Sequence, residues 1–110
     1  MKRYSKSLEN DKNIIIIKQT ILEYGAEKII LFGSRAKHLE QKFSDYDILA
    51  IFQGEINRKD KYLLASKIRK ELAKHYIDAD IIIKTKKEFE KSKFEIGNII
   101  KSATLEGIYL

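Results

Sequence analysis

The stretch over residues 28–54 reads Lys28-Ile29-Ile30-Leu31-Phe32-Gly33-Ser34-Arg35-Ala36, then a largely polar segment, then Asp45-Tyr46-Asp47-Ile48-Leu49-Ala50-Ile51-Phe52-Gln53-Gly54. The first apolar run is too short for a helix and is stopped by glycine, which predicts a buried strand over 28–32. A short helix is expected to start near Ser34. The second run mixes β-forming residues with carboxylates at alternate positions, which predicts a strand over 45–52 ended by Gly54.

Toward the N-terminus, Ile14, Ile17, Ile21 and Tyr24 recur at helical spacing and Gly25 stands where a C-terminal cap would. A helix over about Leu8 to Tyr24 follows. Ile15, Ile16 and Leu22 broaden its apolar face, which leaves a strand open as an alternative for the isoleucine run.

Toward the C-terminus, Leu64, Ile68, Leu72 and Tyr76 mark a helix over Arg58 to Tyr76, with Asn57 and Asp60 able to cap its first turn. Asp78 to Lys84 reads as a third strand. Thr85-Lys86-Lys87-Glu88 fits a capping box, so a further helix begins at Thr85. A last helical stretch spans about Ile96 to Glu106. Ile108-Tyr109-Leu110 forms a short apolar tail, suited to a truncated end or to docking on a partner. Helices and strands alternate throughout, which predicts an α/β (α+β) fold with a small mixed three- to four-stranded sheet packed against helices.

The chain has 110 residues, 44% hydrophobic and 35% charged, with no proline, cysteine or tryptophan. That length suits one domain over residues 1–110, and the apolar content is enough to build a core rather than a disordered chain. Without cysteine there is no disulfide, thiolate metal site or thiol nucleophile, so any metal would be held by oxygen or imidazole, which favours hard cations. The longest unbroken apolar run, Ile14 to Ile17, is far short of a membrane span, and no signal-type segment follows Met1-Lys2-Arg3. A cytoplasmic location is expected by elimination. The formal charge is +6, with 9 basic and 8 acidic residues in the first half and 13 and 8 in the second. The excess would attract an acidic partner, a phosphate-rich substrate or nucleic acid, or would simply solvate helix surfaces.

Gly33-Ser34 stands where a strand gives way to a helix. Unpaired N–H groups and the positive end of the helix dipole make such a junction able to bind phosphate oxygens. Gly33 removes a Cβ from the approach and Ser34 offers a hydroxyl, although a plain turn and N-cap uses the same pair. On a strand, Asp45 and Asp47 share one face at roughly 7 Å between Cα atoms, and Tyr46 faces the other way. Two carboxylates so placed can grip the cation pair, about 3.5–4 Å apart, that phosphoryl-type transfer uses, and Mg²⁺ suits their oxygens. The alternative is a solvated loop cap. Asp80 opens an Ile-rich strand, where a carboxylate is costly unless paired or bound to a cation. A metal shared with Asp45 and Asp47 would serve, as would a salt bridge to Lys84. Asp78 has the same parity as Asp80 and is its alternative. His38 and His75 are the only histidines, and surface positions explain both.

The ordered set of Gly33-Ser34, Asp45-x-Asp47 and a later Asp80 opening an Ile-rich strand resembles the minimal nucleotidyltransferase family of the DNA polymerase beta superfamily. The resemblance covers nearly the whole chain, because Gly33-Ser34-Arg35-Ala36 and Glu106-Gly107-Ile108-Tyr109 are also similar to that family. It implies a nucleotidyltransferase core in which Gly33 and Ser34 hold a nucleoside triphosphate, with Arg35 either on the phosphates or on an exposed helix face. By the same resemblance Asp45 and Asp47 bind two Mg²⁺ ions, and Asp80 completes the site and helps deprotonate the acceptor hydroxyl. Members often stand beside a HEPN-domain protein as the antitoxin of a toxin–antitoxin pair, and some are thought to add AMP from ATP to a tyrosine of the toxin. The rival expectation is a non-catalytic antitoxin that neutralises its partner by occlusion. A third, RNA binding by the basic second half, meets aromatics (Tyr62, Tyr76, Phe89, Phe94 and Tyr109) that mostly sit at core-type positions.

Overall fold

The computed structural model describes residues 11–33, 46–92 and 107–110. Within them lie helices α1 (Lys12–Glu23), α2 (Arg58–Ala73) and α3 (Lys86–Ser92) and strands β1 (Lys28–Phe32), β2 (Tyr46–Phe52), β3 (Ala79–Thr85) and β4 (Ile108–Tyr109). The sheet order is β3-β2-β1-β4. β2 runs antiparallel to β1 and parallel to β3. A parallel neighbour demands a crossover, and α2 supplies it. The helices expected near Ser34 and over 96–106 lie outside the described residues. No helix among the described residues is long and apolar enough to cross a membrane.

Alternation along the strands sends one set of side chains to each face of the sheet. Ile29, Leu31, Ile48, Ala50, Ile81 and Ile83 pack against Ile14, Ile17 and Ile21 of α1 and Ile68 and Leu72 of α2. Burying each of these isoleucine and leucine side chains contributes about 1.5–3 kcal/mol, so this layer holds the helices to the sheet. On the other face Ile30, Leu49 and Ile51 are covered by Phe89 of α3. That second layer is smaller, and it leaves the β2 and β3 starts on its face outside the cluster.

The isoleucine run is helical. Asp11 caps α1 by accepting from Asn13 N (2.9 Å) and Ile14 N (3.3 Å). Ile14, Ile17 and Ile21 are buried as expected, but Tyr24 is 37% exposed and Thr20 takes the fourth buried position. The reason is local. Tyr24 is the C-cap, and Gly25 (φ +99°) turns the chain away at once.

α2 stops at Ala73, short of the expected Tyr76. Ile77 N donates to Leu72 O (3.1 Å) and Tyr76 N to Ala73 O (3.0 Å), a Schellman-type closure with Tyr76 left-handed at φ 60°. The turn drops Ile77 into the core and leaves Tyr76 97% exposed, although its spacing matched the buried face. The capping box formed as read: Thr85 N donates to Glu88 Oε1 (2.9 Å), and Glu88 N donates to Thr85 Oγ1 (3.2 Å).

The C-terminal tail, read from the sequence only as a short apolar stretch, pairs within the chain as β4. Ile108 pairs with Leu31 and Tyr109 with Ile30, and Leu110 N donates to Ile29 O at 2.9 Å. The outer side of β1 carries main-chain groups that need partners once buried, and this segment supplies them.

Candidate functional site

The strand registers decide the site. Phe32 on β1 pairs with Asp47 on β2, and Asp47 pairs with Asp80 on β3. Paired residues project to the same face, so one row across three strands carries an aromatic ring and two carboxylates. The face is the one that α3 covers only in part.

Gly33 follows Phe32 with φ +74°, a conformation that side chains resist. A Cβ built on it would overlap Asp47 Oδ2 and lie 3.1 Å from Asp47 Cγ. The glycine at the end of β1 is therefore packed edge-on against the carboxylate, and its missing side chain leaves room for that carboxylate. Asp47 is half-buried, and Asp80 is exposed.

Exposure of Asp80 corrects the expectation of a carboxylate enclosed by isoleucines. β3 begins only one residue earlier, and Phe89 covers rows further along the sheet. Asp80 therefore stands at the mouth of the face, with water available to its charge. It forms no ion pair with Lys84 among the described residues. Lys84 shares its face but lies four positions along, roughly 13 Å away on an extended strand.

Tyr46 points to the opposite face and is buried. Its N–H donates to Asp78 O (3.1 Å) and its hydroxyl donates to Asp11 Oδ2 (3.2 Å). The acidic end of β2 is thus tied to β3 and to the cap of α1. Sequence reading missed this link, although Asp11 directly before an apolar periodic run is a recognisable N-cap signal. Asp78 lies just ahead of β3 and contributes its carbonyl. Ser34, Arg35, Asp45 and His38 lie outside the described residues, and His75 is exposed beyond the end of α2.

The arrangement fits a hard divalent cation. Adjacent strands lie about 4.8 Å apart, so carboxylates at matched positions can share one ion through oxygen. The donors are oxygens alone, and the space a Cβ of Gly33 would take is filled by the Asp47 carboxylate itself. Among the described residues the acidic group stops at these two, since Asp45 lies outside them.

The fold agrees with the comparisons. A protein of Sulfolobus solfataricus assigned as a nucleotidyltransferase has 26% identity and a TM-score of 0.53, over 80% of this chain and 82% of that one. A toxin-antitoxin with AMP-PNP has 18% identity and a TM-score of 0.55, over 91% of this chain and 71% of that one. A mutant toxin-antitoxin MntA-HpeT has 16% identity and a TM-score of 0.52 over the same shares, 91% and 71%. At such identities these last two speak for the fold alone. No curated protein matches the chain significantly. Residues 14–110, which include every strand of the sheet and the Gly33, Asp47 and Asp80 row, match the family described as Nucleotidyltransferase domain, and the chain belongs to that family.

Proposed function

We propose that this chain is a Mg²⁺-dependent nucleotidyltransferase that moves AMP from ATP to a hydroxyl, a tyrosine of a HEPN-domain toxin, and serves in the cytoplasm as the antitoxin of that pair. The observation that carries the reading is the row that ends at Gly33 and places Asp47 beside Asp80. A likeness in fold to a toxin-antitoxin with AMP-PNP supports ATP as the donor and a toxin as the partner.

In this reading residues 1–110 act as one domain, and the acceptor arrives on a separate protein. Gly33 and Ser34, with Arg35, hold the triphosphate, and Asp45, Asp47 and Asp80 would hold Mg²⁺. Two such ions, when bound, neutralise charge on the phosphate oxygens. The acceptor oxygen forms a bond to the α-phosphorus as the bond to the bridging oxygen breaks. Pyrophosphate leaves with that electron pair, and Asp80 accepts the hydroxyl proton. Catalysis of this kind rests on positioning and electrostatics, with no covalent enzyme intermediate.

The test is transfer of label from α-labelled ATP to the partner toxin with Mg²⁺ present. Labelling is expected for the native chain and is lost in Asp45→Asn and Asp47→Asn with folding retained. Labelling that persists in those variants refutes the metal assignment. Neutralisation of the toxin that survives them, without labelling, shows occlusion instead.

A further inference from the structure

The row of site residues has a direction. It runs from Gly33 beside β1, through Asp47 on β2, to Asp80 on β3, and no described strand lies beyond β3. With the triphosphate at the Gly33 end, an acceptor hydroxyl reaches Asp80 most directly across the outer edge of β3.

A groove of about 290 Å³ lies at that edge, between the second half of α2 and the start of β3. Ala73, Ile77 and Ala79 give it aliphatic surface, and Arg69 and Lys70 stand on it from α2. Both cations are exposed, and neither has an ion-pair partner among the described residues. Among the described residues Asp78 is its one acidic residue, so their charge is net cationic. Asp80 lies one residue past Ala79 with its side chain on the opposite face of the sheet from α2, so an extended segment paired along the edge of β3 would present alternate side chains to the groove and to the Asp80 face.

We propose that this groove docks the acceptor: it takes an extended, acidic segment of the partner protein, laid along the edge of β3, with its hydroxyl delivered to Asp80. The inference rests on the nucleotidyltransferase reading for the order of the row. Charge complementarity selects the acidic segment, and an edge strand can add main-chain hydrogen bonds to an extended one. A nucleic acid fits the groove less well. Among the described residues no aromatic side chain lines it, so they offer bases no stacking platform, whereas aliphatic surface suits peptide side chains.

The experiment uses the full chain and fluorescence anisotropy of three probes: a short labelled peptide with a central tyrosine flanked by glutamates, its lysine-flanked counterpart, and a labelled single-stranded RNA. The native chain is expected to bind the glutamate peptide roughly tenfold or more tighter than the lysine peptide, with the preference shrinking as salt rises. Arg69→Glu with Lys70→Glu reverses that preference, and Ala73→Trp, at an exposed position, weakens both peptides by filling the groove. Binding of AMP-PNP with Mg²⁺ stays within about twofold in all variants, because the groove is not the nucleotide site. Peptide binding that is absent, indifferent to charge or unmoved by the variants overturns the proposal. RNA bound more tightly than either peptide, and released by the same substitutions, overturns it in favour of nucleic acid. If AMP-PNP fails to bind the native chain while the peptide preference holds, the nucleotide reading falls and the docking groove stands.

Discussion

Gly33 ends β1 with its α-carbon turned toward the carboxylate of Asp47, so that a Cβ at this position would sit 3.1 Å from Asp47 Cγ and 3.3 Å from Asp47 Cβ. Two requirements meet at one residue: a positive φ of +74° and no side chain. Alanine can meet neither: the Asp47 carboxylate would have to rotate away, and Asp47 Cγ and Cβ would still crowd the added methyl. Gly33→Ala is expected to cost about 1–3 kcal/mol of stability and to displace Asp47. Urea denaturation with an unchanged midpoint would contradict this packing.

Asp47 and Asp80 face each other across the parallel β2–β3 ladder as like charges. Direct opposition of this kind is destabilising by a few tenths to about 1 kcal/mol. Asp80 is exposed, so its removal leaves no buried hole. In protein stripped of metal with a chelator, Asp80→Asn is expected to melt at or slightly above the native temperature. Added Mg²⁺ should then raise the melting temperature of the native chain and leave the variant nearly unmoved, since only the native pair gains by binding. With Asp80 as the proposed proton acceptor, transfer activity is expected to fall roughly a hundredfold or more in this variant. A variant that melts well below the native chain, or responds equally to Mg²⁺, would separate these two carboxylates functionally.

Glu88 ties three elements together. Its carboxylate accepts from Thr85 N and lies 2.6 Å from Lys61 Nζ of α2. Partial burial pushes its pKa up, but the Lys61 hydrogen bond, the Thr85 backbone N–H and the Lys61 charge outweigh that and bring it from the ordinary 4.5 down to about 2. A carboxyl held lower in the folded chain contributes stability at pH above its unfolded value. That contribution is lost as pH falls from about 4.5 toward 2. The side chain is 38% exposed, so solvent screening limits the size of the effect. Thermal melts of the native chain and of Glu88→Gln should converge over this acid window and separate above it. Parallel curves throughout would show that the pair carries no net stabilisation.

Tyr76 is left-handed at φ 60° and 97% exposed, so it bears backbone strain with almost no packing in return. Tyr76→Gly is expected to stabilise the fold by about 0.5–1 kcal/mol, the relief at a left-handed helix end exceeding the added freedom of the unfolded chain. A rise in melting temperature with transfer activity unchanged is the expected result. A fall would mean that the ring supports the turn before β3.

Much of the architecture was legible along the chain because its apolar periods are unambiguous. β1 matched its expected bounds, and the capping box at Thr85 and Glu88 formed from local chemistry alone. Periodicity failed at helix ends. Tyr24 and Tyr76 have the right spacing for a buried face, yet the chain had already turned when it reached them. Spacing records where a side chain would point if the helix continued, and it carries no account of the Schellman turn that brings Ile77 inward.

The three tail residues were harder still. Ile108 and Tyr109 have the composition of a strand, but a two-residue strand gains nothing until β1 presents a free edge. The tie between Tyr46 and Asp11 is similar, since it joins residues 35 positions apart.

Residue types and their local order were sufficient to place β1, β2, β3 and the two later described helices to within a few residues, to single out Gly33, Asp45, Asp47 and Asp80, and to suggest oxygen-ligated cation chemistry. Those features depend on neighbours in the chain: side-chain volume, helical or extended period, and the conformational freedom of one glycine. Which carboxylate stands beside which, that Asp80 meets water and not isoleucine, and that the last residues complete the sheet depend on strand register and edge pairing. Contacts between distant segments set these, and their energies exist only once the strands have come together.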